Sequence, residues 1–261
     1  MIIPLKEREL NNAKLTIMSF SNITDYPIDL PLDIYQKIFR CIDTTEWNLR
    51  TLTVCNLVCH TWRKLLRQSL LVFRNQYILS QNQFQRLLGA FKNLTHLDIY
   101  LYHFHQVEVI GGLDQLRTLC LTVEGMKVYD KMWEIPLNVR KQIEILKLRV
   151  MSLEAREDIR YEWINTFHRV KYLSYVGPCI KEALLPFLVE LKSLERLELD
   201  GAFSGNAPLF YSEDINLFHE LCFKELILKH CHIARFDGLL ACSHLKNVQF
   251  YNLKVIFKII D

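Results

Sequence analysis

The stretch LERLEL, residues 194 to 199, has apolar side chains at its first, fourth and sixth positions and charged side chains between them. The alternation over its last residues is typical of a β-strand that is buried on one face. The sequence therefore predicts a short strand in which Leu197 and Leu199 face a core and Glu198 faces solvent. A solvated Glu198 is expected to contribute little to stability.

The same pattern recurs along the chain, in LTHLDI (94–99), LRTLCL (116–121), IEILKL (143–148), VKYLSY (170–175), FKELIL (223–228) and LKNVQF (245–250). The middle apolar residue falls at 97, 119, 146, 173, 197, 226 and 248, so successive units are separated by 22, 27, 27, 24, 29 and 22 residues. Chance explains any single match in so apolar a chain, but the ordered series predicts a structural repeat. Helical patterns in EALLPFLVELKSL and NLFHELCF predict a strand-plus-helix coil in each unit, stacked into a solenoid.

A different pattern precedes the repeats. Residues 29–43, DLPLDIYQKIFRCID, have apolar side chains at helical spacing, and a second apolar stripe from Leu49 to Leu66 fits one or two further helices. A unit of about 40 residues buries too little apolar surface to be stable alone, so a zinc ion or a partner protein is expected to complete it. Cys59 and His60 are neighbours that would point about 100° apart on a helix, which favours the partner.

The chain resembles F-box and leucine-rich-repeat proteins, which are substrate receptors of cullin–RING ubiquitin ligases. The resemblance to the F-box covers about residues 28 to 68 and rests on Leu30-Pro31, Asp33-Ile34, Ile38-Phe39, Ile42-Asp43, Leu57-Val58-Cys59 and Trp62-Arg63. Asp33 stands where Glu is more usual, and the segment between Asp43 and Leu57 is longer than in the common pattern. The Asn or Cys that usually follows each strand is clear only at Cys231.

This resemblance implies an α/β fold, with a three-helix F-box followed by an irregular leucine-rich-repeat solenoid whose parallel strands line the concave face. It implies an unassigned extension at 1–24, an F-box at 25–69 and a repeat domain of about seven repeats at 70–261. The implied function is that of a non-catalytic substrate-recognition subunit of an SCF-type (Skp–cullin–F-box) ubiquitin ligase. The alternative is a repeat-built interaction scaffold whose F-box-like helices only cap the first repeat.

The resemblance also implies the partners, which are a Skp-type adaptor and, through it, a cullin. The residues expected to form or support the adaptor-facing surface are Leu30, Pro31, Ile34, Ile38, Leu57, Val58 and Trp62. An internal core role is the alternative for each of them, because three helices must also pack on one another.

A protein substrate is expected on the strand positions whose side chains point away from the core. The candidate substrate-binding residues are Asp98, Tyr100, Lys147, Arg149, Tyr172, Glu198, Asp200, Lys229 and Tyr251. For any one of them the alternative is an ordinary solvated role. The acidic pair, Glu198 and Asp200, is expected two strands further along than the basic pair, Lys147 and Arg149, at a distance of about 10 Å. This arrangement predicts a substrate segment of split charge.

Other classes of function are not expected. With 32 Lys and Arg against 29 Asp and Glu, the net charge of +3 is too small to predict nucleic-acid binding. There is no G-x-S-x-G, no H-E-x-x-H and no phosphate-binding glycine loop, so neither catalysis nor a cofactor is predicted. The group His230, Cys231, His232, Cys242 and His244, with Cys222 nearby, is not expected to bind a metal, because Cys231 should point inward.

The chain is expected to be cytoplasmic or nuclear. Four charges in the first nine residues interrupt any secretory signal, and no apolar run is long enough to predict a membrane helix. The eight cysteines are therefore expected to be reduced and to act as small buried apolar residues. The apolar end VIFKIID is expected either to fold over the last repeat or to mark an incomplete sequence.

Overall fold

We describe the following residues of a computed structural model of the protein: 70–75, 81–101, 110–124, 134–151, 162–177, 184–188, 190–202, 209–211, 220–221, 223–233, 242–252 and 254–255, with Ile34, Lys64, Arg67, Phe218 and Leu239. Within the predicted F-box, Ile34, Lys64 and Arg67 have helical backbone. The rest of that predicted module, including Leu30, Pro31, Ile38, Leu57, Val58 and Trp62, lies outside the described residues, as do the extension at 1–24 and the last six residues.

Parallel strands dominate the fold. The strands are β1 (Val72–Asn75), β2 (His96–Leu101), β3 (Thr118–Glu124), β4 (Ile145–Met151), β5 (Tyr172–Val176), β6 (Arg196–Asp200), β7 (Leu209–Phe210), β8 (Glu225–Lys229), β9 (His232–Ile233), β10 (Asn247–Tyr251) and β11 (Lys254–Val255). Eight of them form one sheet in the order β1-β2-β3-β4-β5-β6-β8-β10, and the other three form a small sheet in the order β11-β9-β7. Every pairing in both sheets is parallel.

The register of the large sheet confirms the predicted repeat. The seven middle apolar residues pair in one continuous row across β2 to β10: Leu97, Leu119, Leu146, Leu173, Leu197, Leu226 and Val248. Six of these side chains are fully buried, and Val248, on the last strand of the sheet, packs against the core while partly exposed. Each repeat therefore adds one strand and one layer of core.

In their described parts, the segments between the strands contain helices and turns, and Phe218 and Glu220 of the predicted NLFHELCF helix have helical backbone. The described helices are α1 (Gln81–Ala90), α2 (Leu137–Arg140) and α3 (Leu185–Leu188), with 3₁₀ turns at Ile110–Gly112 and Glu162–Thr166. The helix predicted in EALLPFLVELKSL is a single α-turn in the described part. Large apolar side chains pack beneath these short segments. The ring centres of Trp163 and Phe167 are 5.8 Å apart, those of Phe218 and Phe223 are 5.9 Å apart, and both pairs meet edge to face. These aromatic side chains are fully buried and form part of the core beside the short segments.

The strand β1 extends the sheet beyond the first predicted repeat. It pairs with β2 from Val72↔His96 to Asn75↔Ile99, and its Phe73 is fully buried. Sequence reasoning missed this strand because Leu70 and Phe73 have the spacing of the other units, but Asn75 stands where those units have a third apolar residue. Its effect is to place Arg74 directly beside Asp98.

Candidate protein-binding face

The strand positions opposite the core form a continuous surface, which we call the open face. It has three rows of side chains. The middle row is Arg74, Asp98, Cys120, Lys147, Ser174, Glu198, Ile227 and Gln249. The row at the strand starts is His96, Thr118, Ile145, Tyr172, Arg196, Glu225 and Asn247, and the row at the strand ends is Tyr100, Thr122, Arg149, Val176, Asp200, Lys229 and Tyr251.

All nine predicted substrate-binding residues lie on the open face. Lys147, Arg149 and Tyr251 are exposed, and Asp98, Tyr100, Tyr172, Asp200 and Lys229 are partly exposed. Glu198 is the exception, because it is only 9% exposed. The expectation that Glu198 is solvated is therefore wrong. Its neighbours on β5 and β8 are long side chains that close over the carboxylate.

Glu198 is the centre of a polar network that joins three strands. Lys229 Nζ on β8 donates to Glu198 Oε1 at 2.6 Å, and the Tyr172 hydroxyl on β5 donates to Oε2. Burial acts to raise the pKa of Glu198, but the hydrogen bonds from Lys229 and Tyr172 outweigh burial and lower it. Burial, together with the hydrogen bond to Glu198, raises the pKa of Tyr172 to about 12. Glu198 is therefore a structural anion at neutral pH.

Cations also stack on the tyrosine rings of this network. Arg196 lies 4.7 Å and Lys147 lies 5.3 Å from the centre of the Tyr172 ring, while Lys229 lies 5.4 Å from the centre of the Tyr251 ring. Such contacts stabilise the cation by the negative face of the ring. The open face from β4 to β10 is thus internally cross-linked by side chains.

Asp200 is also partnered within the molecule. His230 Nδ1 lies 2.8 Å from Asp200 Oδ1, and the Ala202 amide donates to the same oxygen at 2.9 Å. The side-chain nitrogen Nδ2 of Asn252 lies 2.9 Å from His230 Nε2. Asp200, His230 and Asn252 thus form a chain of side-chain contacts across three repeats. His230 and Asn252, which directly follow β8 and β10, have φ values of 50° and 51°, a left-handed conformation that is uncommon for residues other than glycine.

Among the described residues, the cations that lack an ion pair on the open face lie towards its other end. Arg74, Lys147 and Arg149 are exposed, and within the described residues none of them forms an ion pair. Asp98 lies between them, opposite Arg74 on β1 and in register with Lys147 through Cys120. The predicted split charge is therefore uneven: the basic pair forms no ion pair among the described residues, whereas Glu198 is paired with Lys229 and Asp200 contacts His230 and the Ala202 amide.

Three potential metal ligands meet at the same end. His96, Asp98 and Cys120 each offer one ligand atom, and these atoms lie within 4.8 Å of one another. Burial, with the nearby Arg74 and Lys147, lowers the pKa of His96 to about 4, so its ring is neutral at pH 7. Burial and the Asp98 charge raise the pKa of the Cys120 thiol to about 12, and burial also raises the pKa of Asp98.

Sequence reasoning missed this cluster. Cys120 was expected to be a small buried apolar residue, and it is indeed only 7% exposed, but it lies on the open face and not in the core. The alternating pattern in the sequence could have placed Cys120 on this face. Cys120 lies between Leu119 and Leu121, just as Asp98 lies between Leu97 and Ile99. Applying the same alternation to every repeat adds His96, Cys120 and Ile227 to the face.

The histidine and cysteine residues near the C-terminal repeats do not converge. Cys231 is fully buried, and its Sγ lies 3.1 Å from the Lys229 carbonyl oxygen, which confirms the inward orientation predicted for it. His230 contacts Asp200, and His244 Nε2 lies 3.1 Å from the Phe218 carbonyl oxygen. In the described part of the chain these residues thus have separate structural contacts. Cys222 lies outside it.

Ion pairs between neighbouring repeats lie at and just before the starts of the strands. Lys171 pairs with Glu144 at 2.9 Å, Lys224 with Glu195 at 3.6 Å and, one residue further on, Arg196 with Glu225 at 3.5 Å. These side chains line a shallow groove together with Arg117, Thr118, Ile145 and Tyr172. The pairs are solvent-exposed, so each contributes little to stability.

Comparisons with known proteins assign neither a family nor a function to this protein. No family model matches the chain, and no curated protein matches its sequence. Solved structures similar to it include internalin C2 of Listeria monocytogenes, with 14% identity and a TM-score of 0.40 over 72% of this chain and 74% of that one. Internalin F of the same organism matches with 12% identity and a TM-score of 0.43, over 73% of this chain and 50% of that one.

A third similar structure is the PEPR1–AtPEP1 complex, with 12% identity and a TM-score of 0.41 over 76% of this chain and 28% of that one. The protein therefore spans half or less of the length of two of these three structures. Likenesses this distant do not assign a role to any residue. The register of the large sheet identifies the fold as a leucine-rich-repeat solenoid, since every repeat adds one parallel strand with the same inward leucine row.

Within the described residues, no helix is both long enough and apolar enough to cross a membrane.

Proposed function

We propose that this protein is a non-catalytic, protein-binding subunit whose repeat domain holds a partner on its open face. The observation that carries this proposal is the open face itself. It spans eight parallel strands, presents tyrosines and exposed cations, and is held rigid by contacts between neighbouring repeats. Rigid aromatic and cationic side chains are the groups that supply most of the energy of protein interfaces.

The charge distribution favours an acidic partner segment. Glu198 is paired with Lys229, and Asp200 contacts His230 and the Ala202 amide, so both carboxylates already have partners within the protein. Arg74, Lys147 and Arg149 are exposed without ion pairs among the described residues. A carboxylate of the partner placed over β1 to β4 would gain favourable electrostatic interactions with these cations, and it would orient the partner on the face.

The finer proposal is that the partner is a substrate of an SCF-type ubiquitin ligase in the cytoplasm or nucleus. Support comes from the F-box resemblance in residues 25–69, where Leu30, Pro31, Ile34, Ile38, Leu57, Val58 and Trp62 would form or support the surface for a Skp-type adaptor and, through it, a cullin. A substrate held near a conjugating enzyme reacts faster because of its high local concentration. The alternative is a scaffold in which these helices only cap the first repeat.

The adaptor role is tested by co-purification. Tagged parent protein and a Leu30→Ala, Pro31→Ala variant are each expressed with a Skp-type adaptor and a cullin. We expect the parent to capture both, and the variant to lose them while it keeps the circular dichroism spectrum and melting transition of the repeat domain. Failure of the folded parent to capture the adaptor would favour the scaffold.

The open face is tested by reversing its charge. We expect a Lys147→Glu, Arg149→Glu variant to lose the proteins that the parent captures, apart from adaptor and cullin. Capture of these proteins by the parent should weaken as the salt concentration rises. The matched control is Lys141→Glu with Arg169→Glu, which makes the same change in net charge on exposed positions outside the strands. Equal loss in both variants would show a general charge effect and would contradict a role for the face.

A further inference from the structure

We propose that His96, Asp98 and Cys120 bind a divalent transition-metal ion of the zinc class, with its remaining coordination position directed to the open face. This site is additional to the proposed protein-binding role. His96 and Asp98 are two residues apart on β2, so their side chains leave the sheet on the same side. Cys120 on β3 is the direct partner of Asp98 in the register.

The distances suit closure around a small ion. The three ligand atoms lie within 4.8 Å of one another. Zinc binds nitrogen and oxygen at about 2.0–2.2 Å and sulfur at about 2.3 Å, so ligand atoms in a tetrahedral site are separated by roughly 3.3–3.8 Å. Side-chain rotations that bring each atom inward by less than about 1 Å therefore close the site, and the backbone of the two strands need not move.

The donor set identifies the class of metal. A thiolate and an imidazole select zinc and similar borderline-soft ions over magnesium and calcium, which prefer oxygen ligands alone. Three protein ligands with one open position are the arrangement of zinc sites that also bind water or an external group. On this protein the external group would be a carboxylate or water over β2 and β3.

A second observation points to a ligand at this place. His96 Nε2 is buried, and it has no hydrogen-bond partner among the described residues. Buried polar atoms in folded proteins are nearly always bonded, and this nitrogen has a lone pair that an ion could accept. The Asp98 carboxylate also makes neither a hydrogen bond nor an ion pair with described residues, although Arg74 and Lys147 lie close enough to act on it electrostatically.

The two nearby cations determine how the ion would be accommodated. Arg74 and Lys147 would repel a free dication, but binding displaces the Cys120 proton to solvent, and the resulting thiolate and the Asp98 carboxylate together balance the two positive charges of the metal. The loaded site is then neutral overall. Arg74 and Lys147 remain free to attract an anionic partner group beside the ion.

The test uses the full-length chain stripped of metal with a chelator. Zinc is titrated against a chromogenic competitor, and cobalt is added separately, because tetrahedral cobalt bound by a thiolate absorbs visible and near-ultraviolet light. We expect Cys120→Ser and His96→Gln each to weaken zinc binding by at least about tenfold, since even the loss of a group that only orients a ligand weakens binding by 10–100-fold. The thiolate absorption of the cobalt form should disappear in Cys120→Ser.

The matched control is Cys231→Ser, because that thiol is also buried in the repeat domain and its hydrogen bond to the Lys229 carbonyl can be retained by serine. The Cys231→Ser variant should bind zinc as the parent does, and its cobalt form should keep the thiolate absorption. Circular dichroism establishes that each variant is folded, and Asp98→Asn provides a third ligand variant should one fail to fold. The proposal is overturned if folded parent binds no zinc, or if folded ligand variants bind it as the parent does.

Discussion

Lys229 Nζ lies 2.6 Å from Glu198 Oε1, and this contact joins β8 to β6 on a face where both side chains were expected to be available to a partner. Because Glu198 also accepts a hydrogen bond from Tyr172, three successive strands of the large sheet share one carboxylate. The acid is therefore part of the architecture of the sheet. In the function proposed above, partner binding is therefore assigned to the exposed cations nearer β1.

Replacement of Glu198 by alanine should destabilise the fold by about 1–3 kcal/mol, because Lys229 and Tyr172 would each lose a hydrogen bond in a poorly hydrated position. Chemical denaturation measures the change in the free energy of unfolding. Glu195→Ala is the control: its pair with Lys224 is 3.6 Å long and exposed, so the loss should stay within about 0.5 kcal/mol. Equal losses in the two variants would contradict the network described above.

The same carboxylate should make stability depend on pH. Since hydrogen bonds from Lys229 and Tyr172 outweigh burial and hold the pKa of Glu198 below its ordinary value of 4.5, the unfolded chain binds the proton more tightly than the folded protein. The stabilisation is complete above that ordinary value and is lost as the pH falls through the lower folded pKa. We expect the gap in unfolding free energy between parent and Glu198→Gln to narrow below about pH 4.5.

Constancy of that gap from pH 7 to pH 3 would show that Glu198 has the same pKa in the folded and unfolded protein, which would contradict the lowered folded pKa. Glu195→Gln serves as the comparison, since its carboxylate is exposed and its replacement should leave the pH profile of the parent nearly unchanged.

A charge in the leucine row should unfold the repeats. Leu197 is fully buried between Leu173 and Leu226, so Leu197→Asp places a carboxylate where no partner or water is available. We expect loss of the cooperative thermal transition measured by circular dichroism. The control Ser193→Asp adds the same charge at an exposed position four residues earlier and should melt like the parent. A cooperative transition in Leu197→Asp near that of the parent would contradict the register.

Two adjacent glycines should respond differently to a methyl group. A Cβ at Gly111 would lie 2.5 Å from Pro136 Cγ of the following repeat, whereas a Cβ at Gly112 would meet nothing within 4 Å. A proline ring has little freedom to move aside, so Gly111→Ala should cost about 1–3 kcal/mol in unfolding free energy. Gly112→Ala should be neutral or stabilising, and denaturant titration of both variants compares them directly. If Gly112→Ala lowers the unfolding free energy as much as Gly111→Ala does, the backbone of the turn, and not the contact with Pro136, would be the reason that glycine is needed at Gly111.

The sequence by itself determined the repeats. The spacing of Leu97, Leu119, Leu146, Leu173, Leu197, Leu226 and Val248 predicted seven strands, and all seven pair in that register. Periodic burial is a local property, because each strand needs an apolar residue at every second position whatever its neighbours are. The same alternation placed all nine candidate binding residues on the face opposite the core. The adaptor surface predicted in residues 25–69 stays a prediction.

Only the tertiary structure decided which of those residues are free. Whether Glu198 is solvated depends on Tyr172 and Lys229, which lie 26 and 31 residues away in sequence and reach it only when the repeats stack. Likewise His96 and Asp98 meet Cys120 only because β2 and β3 pair in one particular register. Parallel strands about 4.8 Å apart bring side chains from different repeats into contact, and no single repeat contains that information.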